Sequence, residues 1–157
     1  MPKNWTEEKA LVDSIATNLC EAAVTLPRQL LRVDELVHTY GMPFSHIQIL
    51  VMLSGGARTI SRISTALGIA KPNITPLLDN LSARGLVERM RDEQDRRIVN
   101  VRLTQAGWDM IGDLRSTVAG QVTGWGERFS KSDIKRLNTA LATMISLVDG
   151  DGTMAAE

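Results

Sequence analysis

The chain has 157 residues, with 18 Lys and Arg against 18 Asp and Glu, two His, one Cys, 43% apolar residues and 4% aromatic. This fits one folded domain and excludes a disordered chain or a disulfide scaffold, because Cys20 alone closes no intrachain bridge and completes no cysteine-based zinc site. The longest apolar run, Ile49 to Leu53, is far shorter than the roughly 20 residues of a membrane-spanning helix, and the first eight residues lack a secretory core, so a soluble cytoplasmic protein without a membrane partner is expected.

From Thr6 onward, Leu11, Ile15, Leu19, Ala22, Leu26, Leu30, Val33 and Val37 fall at spacings of four and three, which predicts one apolar stripe along a long helix. Glu7 and Glu8 suit its positive end, Pro27 should kink or break it, and Gly41 with Pro43 should end it. A second helix is expected from Ser45, whose spacing to Gln48 fits a capping box, to Gly55-Gly56. Thr59 suits the cap of a short helix carrying Ile60, Ile63 and Leu67 inward, and Gly68 suits a tight left-handed turn. The next helix has Pro72 in its first turn and a core stripe of Ile74, Leu77, Leu78 and Leu81. Its outer side carries Pro72, Asn73, Thr75, Pro76, Asp79 and Asn80. Two short helices joined by a glycine turn make a helix-turn-helix.

After Gly85, residues 86–91 and 98–103 alternate apolar with polar side chains and flank the charged run 92–97, as an antiparallel hairpin with a polar tip does. Thr104 should cap a helix with Ile111, Leu114, Val118, Val122 and Trp125 on one side, and Ser130 a last helix with Ile134, Leu137, Leu141, Ile145 and Val148. Asp149 to Glu157 reads as a loose acidic tail. The zero net charge conceals a gradient. Residues 58–104 hold nine basic against five acidic side chains, a surplus of four that the flanks balance, and such a basic middle suits a polyanion.

In this order and spacing, Leu67-Gly68-Ile69, Lys71 to Thr75, Leu81, Arg84 to Arg89, Asp92, Asp95-Arg96-Arg97 and Leu103-Thr104-Gln105-Ala106-Gly107 resemble the MarR/SlyA family of transcriptional regulators, over nearly the whole chain. The resemblance implies a mainly α fold with a small β-hairpin wing. It divides a single MarR-type domain, 1–157, into a winged helix-turn-helix lobe at about 43–104, dimerisation helices at 6–40 and 105–149, and a flexible tail at 150–157. It also implies double-stranded DNA and a second copy of the chain as partners, a recognition helix in the major groove and a wing arginine in the minor groove.

The DNA-facing set is then Lys71, Pro72, Asn73, Thr75, Pro76, Asn80, Arg84, Arg96 and Arg97, with Asp92 or Asp95 orienting a wing arginine. Many relatives carry a long basic or polar residue at the position of Pro76, so base reading shifts toward Asn73 and Thr75, with Asn80 behind them. An Asn can pair bidentately with adenine, while Pro76 and the Thr75 methyl suit a thymine methyl.

Other constellations carry less. In the peroxide-sensing branch of the family a cysteine on the first helix is the sensor. Cys20 nonetheless reads as buried and inert, with Glu21 beside it and no tyrosine near. His38 and His46 are separated by a Gly-x-Pro break and lack further ligands, so no metal and no cofactor is expected. Trp5, Trp108 and Trp125 suit packing at least as well as an aromatic effector pocket. No nucleophile, base and orienting acid are set for catalysis, so the protein reads as a non-enzyme. The reading is a homodimeric DNA-binding regulator, by the resemblance a repressor released by a small molecule. The alternatives are a winged-helix module that contacts proteins and a redox-responsive regulator using Cys20.

Overall fold

The computed structural model describes residues 5–91, 98–123 and 129–150. The chain divides into two compact units, residues 1–118 and 119–157. Its helices are α1 (Trp5–Thr25), α2 (Val33–Tyr40), α3 (Phe44–Leu53), α4 (Ile60–Leu67), α5 (Lys71–Ala83), α6 (Gln105–Thr123) and α7 (Lys131–Gly150). The strands are β1 (Arg58–Thr59), β2 (Val87–Arg91) and β3 (Val99–Leu103).

The long first helix does break at Pro27. Leu26–Leu30 form one π-helical turn, closed by the Leu31 N–H on the Leu26 carbonyl at 3.0 Å. Arg32 then takes a left-handed conformation, φ 43°, before α2 starts. Along α1, Leu11, Val12, Ile15 and Leu19 remain exposed in the single chain. Cys20 is exposed with them, which corrects the expectation of a buried thiol: this stretch of α1 is solvent-facing in the single chain. The capping box at Ser45 is also absent. Pro43 occupies the cap position of α3 with no side-chain hydrogen bond, its fixed φ of −56° leading directly into the helix.

The core of the first unit is built from Leu36, Ile47, Ile49, Leu50, Leu53, Ile63, Ile74, Leu78, Leu81, Val101 and Ile111, each at most 3% exposed. Helices α2 to α5 enclose it, and a small antiparallel sheet of order β1-β3-β2 closes it. The hairpin register pairs Val87 with Leu103, Arg89 with Val101 and Arg91 with Val99. The two-residue strand β1, paired to Val101 and Asn100, was not evident in the sequence pattern.

Helix α6 starts at a knot of backbone contacts. The Thr104 hydroxyl donates to the Gly85 carbonyl at 2.6 Å and accepts the Gly107 N–H at 3.1 Å, capping the helix as its sequence predicts. The Thr104 N–H meanwhile donates to the Leu86 carbonyl at 3.1 Å. Gly85 takes φ 71° to make the corner. In the second unit, Ser130 caps α7 by accepting the Asp133 N–H at 3.2 Å. Along α7, Ile134, Leu137, Leu141, Met144 and Ile145 are exposed. This helix runs through Asp149 and Gly150, where the sequence pattern predicts a tail; residues 151–157, like Trp125, lie outside the described residues.

Candidate nucleic-acid interface

The helix-turn-helix begins at Thr59, whose hydroxyl accepts the Arg62 N–H at 3.2 Å and so ends β1 and starts α4 together. Gly68 turns the chain at φ 63°, a left-handed conformation in which a Cβ is strained. The turn is fixed from both sides. The Ile69 N–H reaches the Ser64 carbonyl at 3.1 Å, and the Ser64 hydroxyl donates back to the Ile69 carbonyl at 2.6 Å. Helix α5 then starts at Lys71 with Pro72 in its first turn, where the missing N–H costs no helical bond.

Helix α5 buries Ile74, Leu78 and Leu81 and exposes Lys71, Pro72, Asn73, Thr75, Pro76, Asp79 and Asn80. At about 100° per residue, Pro72 and Pro76 run along the middle of that face. Asn73 and Asn80 then lie on one flank, with Thr75 and Asp79 on the other. The sequence-predicted readers are thus brought onto one exposed surface. Thr75 is more engaged than its type suggests, since its hydroxyl donates to the Lys71 carbonyl at 3.4 Å.

Arg84 ends α5, and its guanidinium donates to the Gly41 and Tyr40 carbonyls at 3.2 and 3.3 Å, tying the far end of the helix to the C-terminus of α2. Beside it lies His46, 4% exposed and with neither ring nitrogen hydrogen-bonded. Burial and then the Arg84 charge hold its pKa below the ordinary imidazole value. His46 is thus a core side chain whose neutral form is favoured, and no cluster of three metal-binding side chains occurs among the described residues.

The wing stands beside α5. Arg102 pairs with Glu88 across the hairpin at 2.6 Å, whereas Arg89, one residue on, faces the opposite way and meets Asp79 of α5 at 2.8 Å. The second pair was missed in the sequence, where Asp79 and Arg89 sit in different elements and nothing in their spacing links them. The wing tip, with Asp92, Asp95, Arg96 and Arg97, lies outside the described residues. An open cleft of 380 Å³ at the wing root is lined by Thr59, Ile60, Ser61, Ile98 and Val99.

Residues 40–98, which hold the end of α2, the helix-turn-helix and β2, match the MarR family (MarR_2). Over that stretch the chain is similar to the MarR family. It is 26% identical over 113 residues to the organic hydroperoxide resistance transcriptional regulator of Bacillus subtilis, a match spanning 72% of this chain and 74% of that one. The transcriptional repressor MprA of Escherichia coli is 25% identical over 97 residues, 60% of this chain and 55% of the repressor. In fold it is similar to NadR in complex with 4-hydroxyphenylacetate, with a TM-score of 0.66 at 21% identity, over 83% of this chain and 91% of that one. These relatives are transcriptional regulators, not enzymes, and the fold of the chain is that of MarR-type winged-helix structures. Among the described residues no helix is long and apolar enough to cross a membrane.

Proposed function

We propose that this protein is a MarR-family transcriptional regulator, a homodimeric repressor bound to an inverted-repeat operator and released by a small molecule. The exposed polar face of α5 beside the wing carries the reading: Asn73 and Asn80 offer directional contacts to base edges in the major groove, with Thr75 behind its own engaged hydroxyl. Lys71 serves a phosphate, and Pro72 and Pro76 offer apolar contact to thymine methyls. Arg84 serves by fixing the end of the recognition helix. Arg96 and Arg97, oriented by Asp92 or Asp95, serve the minor groove and phosphates.

The dimer is supported by the apolar residues that α1 and α7 leave uncovered in the single chain: Ile15 and Leu19 are each 48% exposed, and Leu141 is 45% exposed. A second copy covers such stripes at once. The effector is supported by the small organic acid bound to NadR. It lowers DNA affinity only by its preference for a dimer whose recognition helices are wrongly spaced for successive grooves. The exposure of Cys20, together with the hydroperoxide-resistance relative, favours a second route of release through that thiol.

Selection of bound fragments from the source genome, followed by protection and sedimentation measurements, tests the reading. Protected half-sites with inverted symmetry and centres about 34 to 36 Å apart are expected, with affinity falling steeply as salt rises. A monomer in solution, or no protected duplex at low salt, overturns it and favours a protein partner for the basic face.

A further inference from the structure

Pro76 stands in the second turn of α5 and has no N–H for the Pro72 carbonyl, so the recognition helix lacks one rung in the middle of its exposed face. Thr75 and Asp79, four residues apart and stacked on one flank, bracket that turn. The Arg89 Nη2 reaches both: it lies 3.4 Å from the Thr75 carbonyl oxygen and 2.8 Å from Asp79 Oδ1. Its direction follows from register. Arg89 pairs with Val101, which is fully buried, so strand alternation turns both toward the inner side of the sheet, and the arginine runs out over α5. The outer pair Glu88 and Arg102 does nothing comparable, because it ties the hairpin only to itself.

We propose that Arg89 is a positioning residue for base reading. Through Asp79 and Thr75 it sets the angle between the recognition helix and the wing at the turn that Pro76 weakens. It also keeps the Asp79 carboxylate from facing DNA uncompensated. A free carboxylate at that place repels phosphates and accepts from a cytosine amino group; bound to Arg89 it does neither, and directional reading is left to Asn73 and Asn80 on the other flank. The proposal rests on α5 being the major-groove reader. At 33% and 59% exposure the pair is too solvated to add much to folding stability, so its effect belongs in binding.

The test uses the full chain, an operator duplex recovered from the genomic selection and its scrambled counterpart. Asp79→Asn removes a negative charge, so charge alone tightens binding to both duplexes and leaves their ratio unchanged. The clamp instead makes the preference for operator over scrambled duplex fall about tenfold, the size of one lost base contact. Arg89→Gln gives a similar loss of preference, and the double variant loses no more than either single one, because each residue acts through the other. Thermal midpoints of the three variants stay close to that of the wild type. Full preference in Asp79→Asn overturns the proposal, as do losses that multiply in the double variant. If Asn73→Ala abolishes the preference while Asp79→Asn keeps it, base reading by α5 stands and the clamp falls. If the wild type prefers no duplex, the reading by α5 fails and the clamp with it.

Discussion

The same substitution made twice in α6 should act in opposite directions. A Cβ built on Gly107 falls 2.2 Å from the Leu86 carbonyl oxygen and 3.1 Å from Leu103 Cδ2. The oxygen is backbone, and it already accepts the Thr104 N–H at 3.1 Å, so relief requires α6 to lift from the sheet and that bond to stretch. Overpacking of this kind costs about 1 to 3 kcal/mol, and a contact more than 1 Å too short belongs at the upper end. Weakening the Thr104 bond adds about 1 kcal/mol, and the better helix propensity of alanine returns about 1 kcal/mol. The net for Gly107→Ala is a loss of about 3 kcal/mol. Gly112, one and a half turns further along the same helix, is exposed and has nothing within 4 Å of its Cβ position, so Gly112→Ala should gain up to about 1 kcal/mol. Urea unfolding at constant m reads both, the midpoint moving down for the first and up for the second. A Gly107→Ala protein as stable as the wild type would refute the argument that the Leu86 carbonyl fixes the seat of α6.

His46 gives a pH dependence of known sign. Its folded pKa lies below the ordinary 6.5, so the unfolded chain binds more protons than the folded one as pH falls through 6.5 toward the folded value. The stability from keeping His46 neutral is complete above that window and is lost on acidification within it. Urea midpoints between pH 7.5 and 5 should fall in the wild type and flatten in His46→Phe; equal slopes would show that other groups carry the dependence. Asn73→Ala should cost about 1 to 3 kcal/mol on an operator duplex and little on random DNA, as read by titrations at several salt concentrations, and an equal loss on both would remove Asn73 from base reading. For Cys20, release of the wild type from DNA by mild hydroperoxide treatment, with Cys20→Ser still bound, is the outcome expected of a redox route; identical release of both proteins would end it.

Residues whose structural role is local were legible in the sequence. Thr59, Gly68, Gly85 and Thr104 each do what their type does at a helix end or a corner, because a hydroxyl or a missing Cβ acts within three residues of itself. The spacing of Ile74, Leu78 and Leu81 likewise fixes which side of α5 enters the core, and with it which side is left exposed. What depends on a partner distant in sequence was not legible. Asp79 and Arg89 meet because a strand returns beside a helix, and β1 is a strand only because Val101 and Asn100 arrive to pair with it. Ser45 shows a local rule defeated by its neighbour: Pro43 already supplies the entry angle, and α3 starts before a serine cap can form. For Cys20 the burial common to free cysteines does not hold on a helix that stays exposed in the single chain.

The two prolines of α5 bear on the thermodynamics of docking. Each holds its φ near −65° in the unfolded chain as well as in the folded one, so less backbone freedom is lost when the helix forms. Pro76 also gives up a rung, which makes the segment a poor helix by itself and leaves its shape to the lobe around it. On the proposed reading of α5, a recognition surface made in this way arrives at its target already shaped, and little ordering entropy then opposes association. Its adaptability is correspondingly small: a helix that cannot rewind around Pro76 cannot follow a target whose groove departs from the expected width.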